Sequence, residues 1–123
     1  MTGKLFAGQA ILLLLIALLF HFSQNFSNNN LIFAPFLHFL GGMWVAVASM
    51  EFFRRMNYSY SVWLLVLAVF VVGAGWEVFE LYIFQFESFT YWAVDTLSDL
   101  VLDVSGGLVA FRLARTVYFS SHV

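Results

Sequence analysis

The sequence predicts an all-α protein, a bundle of four transmembrane helices with both termini on the cytoplasmic side. Three observations predict it. Of 123 residues, 63% are hydrophobic and 10% charged, with a mean hydropathy of +0.91, whereas a soluble domain carries about 25% charged residues. Four apolar segments reach the roughly 20 residues that a helix rising about 1.5 Å per residue needs to cross about 30 Å of hydrocarbon. All five basic residues, Lys4, Arg54, Arg55, Arg112 and Arg115, fall on one side of a chain that crosses four times. The positive-inside rule makes that side cytoplasmic.

The first span is expected over residues 5–22, where the stretch from Ala10 to Phe20 holds no polar side chain. Lys4 before an apolar run resembles a secretory leader, but the following HFSQNFSNNN offers no small-x-small cleavage site, so a retained span is expected. The second span, residues 31–50, contains FLHFLGG, with Ala34, Gly41, Gly42 and Ser49 on the same face as His38. Small residues on one face let a neighbouring backbone approach closely.

The third span, residues 62–84, contains GAGWEVFE, which sets Gly73 one turn before Glu77 and Glu77 three residues before Glu80. The fourth, residues 93–111, reads AVDTLSDLVLDVSGGLVAF. Its Asp95, Asp99 and Asp103 follow one another at i, i+4 and i+8, which stacks them on one helix face. Leu102 and Gly106 share that stripe, while Leu97, Val101, Val104 and Leu108 are expected to face lipid. Gly41, Gly42, Gly73, Gly106 and Gly107 are expected as helix-packing points. SQNFSNNN, EFFRRMNYSYS and a short ESFT turn separate the spans and leave a single transmembrane domain. The Asn-rich loop and Glu87 then lie outside. Tyr58, Tyr60 and Trp63 mark the inner boundary, and Tyr82, Tyr91 and Trp92 the outer one. His21 and His122 fall at the boundaries and suggest no chemistry.

Composition also excludes whole classes. Sixteen Phe, one Pro and eight Gly do not make a disordered or collagen-like chain. The absence of Cys removes thiol nucleophiles, zinc ribbons and iron–sulfur clusters. A net charge of −2 with five basic residues gives no patch for nucleic acid. The partners expected are membrane lipids and a homo-oligomer or larger membrane complex.

Ionisable residues in a span cost about 2.5–3.5 kcal/mol each near its centre, so each asks for a reason. At about 1.5 Å per residue, His38 and Glu77 both fall roughly 10 Å below the outer boundary. Asp95 falls near the outer edge, Asp99 roughly 6 Å deeper and Asp103 near the midplane. His38, Glu77, Asp95 and Asp99 can therefore converge in the outer half of the bundle, with Glu80 above and Asp103 below. Several carboxylates cannot share a low-dielectric site fully ionised, so the cluster must hold protons, a cation or both. Oxygen ligands with one imidazole suit Mg, Ca or Mn better than Zn. Glu77, Asp95 and Asp99 are the expected metal ligands, with His38 as ligand or proton relay. The simpler account is protonated acids that hold helices together by hydrogen bonds. Ser105 invites comparison with an intramembrane protease serine, but it lies deeper than His38 and off the aspartate stripe.

The combination of HFLGG, GWEVFE and DTLSDLVLDVSGG resembles the YjdF-like small integral membrane proteins and, more distantly, the VanZ-like proteins. In the YjdF-like group a Trp-Glu-x-x-Glu motif precedes an Asp-x-x-x-Asp motif that ends in a small-residue pair. The resemblance implies family positions at Trp76, Glu77, Glu80, Asp95, Asp99 and Gly106, over the last three spans. It implies sites rather than an activity. Asp103 stands where the VanZ-like pattern tends to show Asn, and that pattern's Arg before the acids is missing.

The residues leave open whether the protein is an enzyme. Three readings stand at this point. One is a cation-binding membrane protein in envelope or lipid-related processes. The second is a proton- or cation-coupled translocator built from oligomers. The third is a non-catalytic assembly subunit.

Overall fold

A computed structural model describes residues 2–25, 30–83 and 88–119. Among them are four helices, α1 (Thr2–Asn25), α2 (Asn30–Arg55), α3 (Val62–Ile83) and α4 (Phe89–Phe119), and no strand. The centre of the Asn-rich loop, the expected end of the third span at 84, Glu87 and His122 lie outside the described residues.

Local chemistry sets the helix ends. The Ser61 hydroxyl accepts the Leu64 amide at 3.3 Å, and the Ser88 hydroxyl accepts the Tyr91 amide at 3.2 Å. Each is an N-cap that satisfies an amide left over in the first turn. α2 stops where Asn57 adopts a left-handed φ of 54°. There the Tyr58 amide returns to the Phe53 carbonyl at 2.9 Å and the Asn57 amide to the Arg54 carbonyl at 3.2 Å. That pair of bonds is a Schellman ending, in which Asn replaces the more usual Gly. α2 outruns its expected span at the C-terminal end and α4 at the N-terminal end because caps, not hydropathy, set those ends.

Three helices are long and apolar enough to cross a membrane: Phe6–Ser23, Phe33–Arg55 and Val62–Ile83, with mean hydropathies of 2.1, 1.5 and 2.2. α4 differs from the expected fourth span. Its 31 residues are ample in length, but Asp95, Asp99, Asp103, Arg112 and Arg115 interrupt its apolar run. Membrane-type composition is visible on the other helices, where Leu14, Val71 and Val78 lie more than half exposed.

α2 is the hub. It packs against α1, α3 and α4, and α1 meets no other helix among the described residues. His38 faces Asp99 and Asp103, and Gly106 lies against Phe39 and Met43, so α2 and α4 advance side by side in the same direction. Gly73 meets Asp103 while Val69 meets Gly107, so α3 runs antiparallel to α4. The buried core is formed by Ala46, Val47 and Met50 of α2, Leu65 and Val69 of α3, and Ala110 and Ala114 of α4, with Leu12 of α1 at its margin.

Glycines bring the backbones together. A Cβ on Gly42 would strike the Asp103 carbonyl, and one on Gly106 would strike the Phe39 carbonyl. At Gly107 the obstacle is Val69 Cγ2 at 2.9 Å. Gly41 differs from the expected packing role: nothing lies within 4 Å of a Cβ built there. Adjacent helical positions point about 100° apart, so one Gly of the pair meets α4 and the other does not. Val104 also departs from expectation. It packs on the core, whereas Leu97 and Val101 on the same helix are 64% exposed.

At the far end of α2, Glu51 is buried and takes both arginines. Arg54 Nε and Nη2 reach its two oxygens at 2.8–3.0 Å, and Arg55 Nε reaches Oε1 at 2.7 Å. Spacings of i+3 and i+4 place both guanidinium groups over the same carboxylate.

Candidate functional site

The polar site is built from three helices. α2 supplies His38, α3 supplies Glu77, and α4 supplies Asp99 and Asp103 one turn apart. His38 Nε2 stands 3.3 Å from Asp99 Oδ2, and its Nδ1 stands 3.4 Å from Asp103 Oδ1. The i, i+4 spacing on α4 gives a rise of about 6 Å, so a single imidazole inserted from the parallel α2 faces one carboxylate with each nitrogen. All three acids are buried, with Glu77 only 2% exposed.

Glu77 shows what the cluster lacks. Its Oε2 accepts the Thr96 hydroxyl at 2.8 Å. Its Oε1 is buried and has no hydrogen-bond partner. Buried carboxylate oxygens without a partner are costly. One ligand atom each from His38, Glu77 and Asp99 lies within 4.8 Å of the other two. A neutral imidazole donates one proton only, so it can satisfy Asp103 or Asp99 but not both. With the proton on Nδ1 toward Asp103, Nε2 is left as a lone-pair donor 3.3 Å from Asp99 Oδ2.

Positive charge is remote. Arg54 lies 16 residues along α2 from His38, about 24 Å of helix, and Arg112 lies nine residues, about 13 Å, beyond Asp103. Neither guanidinium can neutralise the acids.

The profile of a family of predicted membrane proteins, DUF2238, matches residues 4–119. The chain belongs to that family. No curated protein and no solved structure matches it.

In this DUF2238 member the remaining sequence-predicted residues fall around the trio. Asp95 stands outside the group of mutually close ligand atoms and is half-buried at the next turn of α4. Asp103 takes the position beside His38 instead. Glu80 is held by Trp76, whose Nε1 donates to Oε1 at 2.8 Å. The Ser105 hydroxyl donates to the Val101 carbonyl at 2.7 Å, an i−4 bond within its own helix. Gly73 lies where the Asp103 carboxylate passes: a Cβ there would be 2.5 Å from Oδ2.

Sequence reasoning missed Thr96. A threonine in an apolar helix is unremarkable by itself, and only the antiparallel pairing of α3 with α4 brings its hydroxyl to Glu77. The Trp44 and Trp92 indole nitrogens are likewise buried without a hydrogen-bond partner.

Proposed function

We propose that this protein is a four-span membrane protein that binds a divalent cation at His38, Glu77 and Asp99 and acts in envelope or lipid-related processes. The observation that carries the reading is that Glu77, buried with its Oε1 unpartnered, offers a ligand atom within 4.8 Å of one from His38 and one from Asp99. A cation satisfies that oxygen, takes the free Nε2 of His38 and offsets the adjacent negative charge at once. Mg, Ca and Mn suit the oxygen-rich set best. Asp103 then acts on the opposite nitrogen, fixing the tautomer and the ring's orientation.

The parallel course of α2 and α4, with α3 antiparallel beside both, supports α4 as the fourth span. If α2 and α3 cross a bilayer, α4 lies alongside them over the same depth, and its acids turn toward the bundle rather than toward lipid. Both termini then fall on the side that carries Arg54, Arg55, Arg112 and Arg115. The YjdF-like resemblance rests on motif residues, and Glu77 and Asp99 of that motif belong to the proposed site. Lipid contact and assembly with other copies are part of the same proposal.

The test is a Mn²⁺ titration of the detergent-purified full chain, with elemental analysis, for wild type, Asp99→Asn and Glu77→Gln. Stoichiometric binding lost in both variants supports the reading. Wild-type protein that takes up no ion, or variants that bind as tightly, overturns it. A proton- or ion-flux assay in liposomes separates a translocator from a static site, since only the former gives a flux that Glu77→Gln removes.

A further inference from the structure

α1 touches α2 but neither α3 nor α4 among the described residues, and this leaves a gap. The gap is a groove of about 370 Å³ floored by α2 and walled by α1 and α3. Sites of roughly 300–1,000 Å³ take small organic molecules. Most of the wall is apolar, with Ile16 and Phe20 from α1 and Val69 and Val72 from α3.

The ionisable side chains that reach the groove are His38, Glu80 and Asp103, and no Lys or Arg lines it. Glu80 is fastened to the Trp76 indole at 2.8 Å, and both line the groove, as does Trp44. A carboxylate held against an indole combines negative charge with an aromatic face, the pairing that receives organic cations. An acyl chain has no use for Glu80 or Asp103. A bare metal ion has no use for the apolar walls. The occupant matched by all of these features carries one diffuse positive charge inside a large apolar envelope.

We propose that the groove between α1, α2 and α3 binds a hydrophobic organic cation, of the quaternary ammonium or phosphonium class, with Glu80 and Trp76 receiving the charge. Of the proposed metal ligands the groove is lined by His38 but not by Glu77 or Asp99. The two readings therefore fail separately, since Mn²⁺ reports on one and an organic cation on the other.

The experiment uses the full chain in detergent, titrated with tetraphenylphosphonium and with tetraphenylborate, which has the same shape and the opposite charge. Binding is read by calorimetry and by quenching of tryptophan fluorescence. Tetraphenylphosphonium is expected to bind saturably and tetraphenylborate not. Gly41→Leu extends a side chain into the groove from a position where a Cβ meets nothing within 4 Å, so it should weaken phosphonium binding by about tenfold or more while leaving Mn²⁺ binding at the wild-type value. Ala34→Leu fills the same groove and serves where Gly41→Leu does not fold. Glu80→Gln keeps an acceptor for Trp76 and removes the charge, with a loss of about the same size expected. Equal binding of both probes, or phosphonium binding unchanged in the groove-filling and Glu80 variants, overturns the proposal and reduces the groove to a bed for lipid tails.

Discussion

Replacing Gly73 by Ala changes one methyl group on α3 and none of the residues assigned to the cation. The new Cβ would lie 2.5 Å from Asp103 Oδ2 and 3.1 Å from Leu100 Cδ2. Ordinary contact begins at 3.4 Å, so the carboxylate must retreat by 3.4 − 2.5 = 0.9 Å. The other oxygen of the same carboxylate stands 3.4 Å from His38 Nδ1, already at the long limit of a hydrogen bond, so a displacement of that size is expected to break the contact. Overpacking costs about 1–3 kcal/mol, while exchanging a helical Gly for Ala returns about 0.5–1 kcal/mol. The net expectation is a destabilisation of up to about 2.5 kcal/mol, and of about 1–3 kcal/mol relative to a variant that receives the propensity gain alone. Losing the partner that orients a ligating imidazole should weaken Mn²⁺ binding by about 10–100-fold. Gly75→Ala is the control, because nothing lies within 4 Å of a Cβ there. It sits on the same helix and receives the propensity gain alone. Unfolding in mixed micelles and Mn²⁺ titration, run on both variants, provide the check. A Gly73→Ala protein as stable and as Mn²⁺-competent as Gly75→Ala would refute the reasoning.

Three further outcomes are expected. Gly106→Ala drives a Cβ into the Phe39 backbone carbonyl, which cannot swing aside as a side chain can, so it should lose about 3 kcal/mol or more of stability, measured against a near-neutral Gly41→Ala. Arg54→Ala should destabilise more than Arg55→Ala, because Arg54 makes a forked contact to the buried Glu51 while Arg55 is 68% exposed; equal melting temperatures for the two variants would contradict this. Asn57→Gly should be neutral or stabilising and Asn57→Ala should cost about 1 kcal/mol, since the residue holds φ at 54°; chemical unfolding of the pair measures the difference.

Periodicity carries information along one helix and none between helices, and the residues of the polar site divide on that line. The i, i+4 spacing of Asp99 and Asp103 already stacks both carboxylates, and both meet His38 in the structure. Counting residues from the span ends puts His38 and Glu77 at one depth, and their ligand atoms lie close together. Counting cannot supply the register of α4 against α2, which sets Asp99 and Asp103, rather than Asp95 and Asp99, beside His38. Nor can it distinguish Gly41 from Gly42, since neighbouring glycines differ only in which way their missing side chains point. α4 itself was legible as a helix by its stripe. Its extent was not, because Ser88 and the turns past Phe111 extend it beyond its apolar stretch.

The charged residues spread along α4 also govern the order in which the protein can be made. α1, α2 and α3 are each apolar enough to enter a bilayer unaided, but a helix bearing three aspartates meets a steep cost if it enters alone. Its acids find His38, Thr96's partner Glu77 and the close backbone of Gly42 only on helices synthesised earlier. For an α4 that crosses the membrane, insertion and completion of the polar cluster are then one event, and the aspartates that build the polar site also make the last helix depend on the first three having arrived.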